Sequence, residues 1–309
     1  MSRSKALTFM SLALGAVALL LGVDQGRAAT TGPVPGVNYD VPNYANSPLP
    51  TVTRDPITGA VLSVTGGMRK FVDKLPGLGT TNANNLGQYI PIATPSAPPP
   101  GVPVDGDYYE IALVEYREQM HSDLPPLAGT SKTDPLATGG TKLRGYVQEV
   151  NGVPVGEPHY LGPLIIATKD RPVRIKFTNR LPVGSAGDLF LPVDTTVMGA
   201  GPFTIGDLAN PGSLISGNFT QNRATLHLHG GNTPWVSDGT THQWITPAGE
   251  ITPYPVGLSQ QNVPDMPLPS GGSATFYWTN QQSGRLMFYH DHAYGMTGPN
   301  VYGGEAAGY

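Results

Sequence analysis

The sequence has no cysteine. That absence excludes a disulfide framework and every thiolate metal site, so stability has to come from an apolar core and any transition metal from other donors. Charge is scarce as well: 18 Lys and Arg and 22 Asp and Glu make up 13% of 309 residues and leave a net charge of −4. Nothing in that balance points to nucleic acid as a partner. Also missing is any long segment whose apolar residues recur every 3.6 positions, which argues against a helical bundle. In their place stand 40 Gly and 32 Pro, the composition of short strands joined by turns.

The long apolar run Ala6–Val23 follows Arg3 and Lys5 and precedes Gly26-Arg27-Ala28. This is the order of a secretory signal, with small residues at the positions a signal peptidase reads. Residues 1–28 are therefore expected to be a signal peptide, cleaved after about Ala28, which makes the mature protein secreted or periplasmic. An uncleaved membrane anchor is the alternative, because the run approaches the length of a span. No Arg-Arg pair occurs, so export in the unfolded state is expected, with any metal acquired outside the cytoplasm. Cleavage removes Arg3, Lys5, Arg27 and Asp24 and takes the net charge from −4 to −6.

Residues 29–106 are rich in Pro, Gly, Thr and Asn, with Pro98-Pro99-Pro100 near the end, and read as an extended arm. Within the arm, Met68–Pro76 is expected to form a short helical turn docked on the domain behind it. The folded domain is placed at 107–309. Its strands are expected at Tyr108–Tyr116, Leu143–Val150, Ala224–His229, Ser273–Thr279 and Leu286–His290, with a hairpin formed by Leu164–Thr168 and Pro172–Asn179. Short strands between turn-rich loops predict an all-β sandwich. The loops Arg180–Arg223 and Asn232–Gly272 are long enough to wall a site.

Four of the seven histidines sit in two His-x-His pairs, His227-Leu228-His229 and His290-Asp291-His292. Each pair lies at the end of an expected strand, where residues i and i+2 share a face about 7 Å apart. Each pair thus presents two imidazoles side by side, while Leu228 and Asp291 face the other way. Neutral imidazole suits zinc, copper, iron or nickel, and four such nitrogens exceed what one ion with an open position usually takes, so more than one metal is expected. Gly230 and Gly231 follow the first pair and would let backbone or a small ligand approach.

His227-Leu228-His229-Gly230-Gly231, Ser237-Asp238-Gly239, Asn280-Gln281-Gln282-Ser283-Gly284, Tyr289-His290-Asp291-His292-Ala293 and Asn300-Val301-Tyr302-Gly303-Gly304 together resemble the first cupredoxin domain of multicopper oxidases. Within that family the likeness is to the spore-coat laccase and bilirubin oxidase branch. Phe71–Pro76, Leu124-Pro125-Pro126, Gly145-Tyr146 and Gly162-Pro163-Leu164-Ile165 fit the same branch in order, so the resemblance runs from about Met68 to Tyr309. It implies a cupredoxin-like Greek-key β-sandwich and copper as cofactor. It also implies His227 as a type 2 copper ligand and His229, His290 and His292 as type 3 ligands, half of a trinuclear site. Such an oxidase couples one-electron oxidation of a small-molecule or metal-ion reductant to reduction of dioxygen to water.

The sequence departs from the family in one respect. The resemblance leads to the expectation of a His-Cys-His motif and a His-x-x-His-x-His motif in later domains, and neither appears here. The remaining cupredoxin domains are expected elsewhere in a longer protein or in a partner chain, and the domain at 107–309 is expected to be truncated at its C-terminus. This chain alone is then expected to lack activity, because the type 1 copper site is missing. A stand-alone copper-binding domain, or a subunit of a split oxidase, is the other reading. A cupin-like site is disfavoured because Asn232–Asp238 contains no Glu.

Other candidates have plainer readings. His121 is read as structural, His159 as an exposed loop residue and His242 as a surface residue. Asp291 is read as a side chain that holds a ligand-bearing strand by hydrogen bonding, Asp238 as a turn residue, and Trp235, Trp244 and Trp278 as packing aromatics.

Overall fold

The structure, a computed structural model, describes residues 51–309 except Gly66, Leu208, Ala209, Gln260 and Gln261. The expected signal over residues 1–28 and the beginning of the arm lie outside the described residues. Among the described residues no helix is long and apolar enough to cross a membrane. The chain divides into two compact units, Met1–Val72 and Asp73–Tyr309.

In the first unit, β1 (Thr51–Arg54) pairs antiparallel with β2 (Val61–Thr65). The Asp55 carboxylate makes the turn between them by accepting the N–H groups of Ile57 at 2.9 Å and Thr58 at 2.7 Å, the Asx geometry that suits Asp at such a corner.

The second unit carries β3 (Asp107–Glu118), β4 (Thr141–Val150), β5 (Val153–Pro154), β6 (Val173–Asn179), β7 (Pro202–Gly206), β8 (Leu214–Asn218), β9 (His227–His229), β10 (Ser273–Trp278), β11 (Phe288–His290) and β12 (Ala306–Gly308). Five of them form a sheet in the order β10-β6-β3-β4-β5, antiparallel except where β3 runs parallel to β6. The other main sheet has the order β12-β11-β9, and β7 and β8 form a separate hairpin.

One apolar core joins the two main sheets. Alternate residues Tyr109, Ile111 and Leu113 of β3, Val173, Ile175 and Phe177 of β6, and Ala274, Phe276 and Trp278 of β10 pack with Leu228, Tyr289 and Ala307 of the three-stranded sheet. The spacing of two is what a strand needs to put apolar side chains on one face, and each large one contributes about 1.5–3 kcal/mol on burial. The fold is a cupredoxin-like β-sandwich.

Two local expectations are corrected. No helix forms over Met68–Pro76: Phe71 sits at φ 60 with its side chain fully exposed, and Asp73 instead accepts the N–H of Ser122 at 2.8 Å and an Asn85 amide at 2.6 Å. Leu164–Thr168 does not pair with Pro172–Asn179. The Leu164 carbonyl accepts from Ala93, its N–H donates to Pro91, and the Ile165 N–H donates to Gly308, so the start of this segment pairs with other parts of the chain rather than with Pro172–Asn179. Residues 73–106, extended in keeping with their composition, belong to the same unit as the sandwich. Ala93 is in its core, and the Gln148 amide holds Thr94 by accepting its N–H at 3.0 Å and donating to its carbonyl at 2.5 Å.

Candidate metal centre

The register of β9 on β11 builds the site. His227 lies opposite His290, Leu228 opposite Tyr289, and His229 opposite Phe288. Leu228 and Tyr289 are 1% and 0% exposed in the core, and the Tyr289 hydroxyl donates to the Pro163 carbonyl at 2.6 Å. With those two side chains drawn inward, the period of two puts His227, His229 and His290 together on the other face. A slip of one residue would bury the histidines and expose the core pair.

All four histidine rings converge. Ring centroids are 5.4 Å apart for His227 and His290, 5.9 Å for His227 and His229, 4.6 Å for His227 and His292, and 5.7 Å for His290 and His292. Ring nitrogens of His227, His229 and His290 all lie within 4.8 Å of one another, which is compact enough for a shared metal ion. His229 Nδ1 is 3.3 Å from His290 Nε2.

The tautomers are set by backbone carbonyls. His227 Nδ1 donates to the Asp238 carbonyl at 2.6 Å, and His290 Nδ1 donates to the Asp291 carbonyl at 2.5 Å. Each bond fixes the proton on Nδ1 and leaves the lone pair on Nε2, the arrangement in which a second group orients a ligating imidazole. Burial lowers the pKa of His290 to about 4, helped by His227 and His292; burial, then His227, also lowers that of His292. Both rings are therefore neutral near pH 7, as coordination requires. A donor set of converging imidazoles fits copper.

Asp238 serves this site through its carbonyl, a role its identity as a turn residue did not reveal. The following Gly239 has φ +65, and a Cβ there would lie 2.1 Å from the Leu226 carbonyl oxygen, so only glycine lets this turn pass close enough to reach His227. The Asp238 side chain accepts the Thr233 hydroxyl at 2.6 Å.

Behind the histidines, Asp291 is fully buried. It accepts the N–H groups of Thr225 at 2.9 Å and Ala293 at 3.0 Å and the Asn300 amide at 2.9 Å. It thereby ties together the entry to β9, the exit from β11 and the short helix Thr297–Tyr302. Arg223 adds a second tie, donating from Nη2 to the carbonyls of Gly199 and Tyr294 while its guanidinium lies 4.4 Å from the Phe219 ring centroid.

The other candidates lie apart. His121 accepts the Asp123 N–H at 3.0 Å, and His242 packs on Tyr294 with centroids 4.9 Å apart. His159 is buried rather than exposed: its Nδ1 is 2.9 Å from Glu118 Oε1 and 2.7 Å from Lys132 Nζ, with Tyr89 against the ring. The charged partners Lys132 and Glu118, far off in sequence, satisfy a polar ring that the loop composition placed in solvent. Trp244 and Trp278 are buried, whereas Trp235 is 74% exposed.

No protein-family model matches the chain. A laccase from Bacillus subtilis (strain 168) is 30% identical over 203 residues, 65% of this chain and 28% of that protein. A laccase from Bacillus stratosphericus is 30% identical over 243 residues, 78% of this chain and 33% of that protein. Over the shared stretch, this chain belongs to the multicopper oxidase family. It spans about a third of the length of the curated relatives it matches. The crystal structure of a multi-copper oxidase from Pediococcus acidilactici superposes with a TM-score of 0.38 at 15% identity, covering 70% of this chain and 27% of that one. Membership of the family implies copper as the metal.

Proposed function

We propose that this chain supplies half of the ligands of a trinuclear copper site in an oxidase that couples one-electron oxidation of a reductant to reduction of dioxygen to water. The observation that carries the reading is the convergence of four imidazoles from two neighbouring strand ends, with Nδ1 of His227 and His290 donated to carbonyls. His227 would be the type 2 ligand, and His229, His290 and His292 the type 3 ligands. Bound copper supplies the one-electron chemistry with dioxygen. The chain's own residues hold neutral nitrogens in fixed directions, and Asp291 keeps β9, β11 and the helix from spreading.

The other ligands and the cysteine-bearing site through which electrons enter would come from further cupredoxin domains, in the same protein or in a partner. The leader pattern at residues 1–28 supports export, so the protein would act in a secreted or periplasmic setting. A stand-alone copper-binding module is the second reading, favoured by the completeness of this half-site within one chain.

The test is copper content by mass spectrometry after loading and desalting the purified chain. We expect His227→Ala and His292→Ala to bind less copper and His159→Ala to bind as much as the parent. Equal copper in all the variants would sink the ligand assignment. Oxygen consumption with a phenolic reductant by this polypeptide alone would contradict its role as half of a site.

A further inference from the structure

The two His-x-His pairs are staggered rather than matched. Because His290 pairs with His227, the position opposite His229 falls on Phe288. Phe288 is also two residues before His290, so all three side chains point to the same face. The Phe288 ring stacks on His229, with centroids 4.6 Å apart and planes at 14°, and on His290, at 5.1 Å and 28°. The two imidazoles are in turn 5.5 Å apart, so the three rings form a triangle with each touching the other two. Flat contacts at these separations are favourable for aromatic groups.

His229 needs such support more than His227 or His290 does. His227 and His290 each donate Nδ1 to a backbone carbonyl, whereas Nδ1 of His229 has, among the described residues, only His290 Nε2 at 3.3 Å, and His229 is the exposed member of the trio. We propose that Phe288 is a positioning residue: its ring, seated against both His229 and His290, holds the His229 imidazole in its ligating orientation, doing for it what a carbonyl does for the other two. Phe288 donates no electrons and no ligand atom. It acts by limiting the rotation of a ring that the backbone does not restrain.

This inference rests on the copper reading, and the experiment separates the two. Copper affinity is measured by competition with a chelator, and the coordination environment by electron paramagnetic resonance, for the parent chain, Phe288→Ala, Phe288→Leu and Phe288→Tyr. We expect Phe288→Ala and Phe288→Leu to weaken copper binding about tenfold, the lower end of what loss of a ligand-orienting group costs, with a changed hyperfine pattern. Phe288→Tyr keeps the flat face and should restore both. Thermal unfolding of the metal-free proteins should shift by the same amount in Phe288→Leu and Phe288→Tyr, which a merely structural role would not combine with a difference in copper. Parent-like affinity and spectra in Phe288→Leu, or a Phe288→Tyr variant as weak as Phe288→Ala, would overturn the proposal. A parent chain that takes up no copper would instead sink the underlying reading.

Discussion

The two faces of the β9–β11 pair do opposite things with the same alternation. On one face Leu228, Tyr289 and Asp291 are at most 1% exposed; on the other, His229 and Phe288 are open to solvent. The buried face is held by area and by satisfied hydrogen bonds, and the open face by ring contacts and by two carbonyls. Stability therefore resides on one side of these strands and ligand chemistry on the other. Substitutions on the two sides should separate along those lines.

The largest effect on folding is expected from Tyr289→Ala. A fully buried aromatic truncated to alanine costs about 3–5 kcal/mol, and urea unfolding of the metal-free chain should read a loss of that size. A loss under about 1 kcal/mol would mean that the buried face does not carry the fold.

A smaller effect concerns the charge on the buried side. Glu305 has no exposure and faces Arg144, whose Nη1 is 3.8 Å from its Oε1, and the Asp291 carboxylate. Burial pushes its pKa well above the usual value of 4.5, Asp291 pushes it further, and Arg144 opposes. The folded chain thus binds this proton more tightly than the unfolded one. Its contribution to stability is full below the unfolded pKa and declines as pH rises from there. Glu305→Gln should flatten the fall in stability as pH rises above the usual carboxylate value of 4.5, as measured by urea unfolding across a pH series. An unchanged pH profile would show that Glu305 holds its proton no more tightly in the folded chain.

The smallest effect on folding sharpens the comparison from the other side. His229→Ala removes an exposed side chain, and such changes usually stay within about 0.5 kcal/mol. Unfolding of the metal-free chain should barely move while copper content drops. A large loss of stability would show that the open face also carries the fold.

Much of this was legible in the sequence. Strands β3, β6 and β10 follow apolar alternation, β4 forms without it, and the paired histidines marked where β9 and β11 end. Less legible was anything that depends on a distant partner. Leu164–Thr168 is apolar like a buried strand, but Pro91, Ala93 and the end of β12 take the backbone groups at its start. His159 looked like a loop residue because Lys132 and Glu118, which surround it, lie in other parts of the chain. Phe288 carried the apolar signal of any strand residue, and its contact with His229 depends on the cross-strand register.

The sequence by itself determined the kind of chemistry available. Without cysteine and with two His-x-His pairs, imidazoles were the donors the sequence set side by side, and the period of a strand predicts each pair on one face. Only the tertiary structure decided which imidazole meets which, because register is set by where Leu228 and Tyr289 fit the core. That fit is a packing property of both sheets together, and no local run of residues contains it.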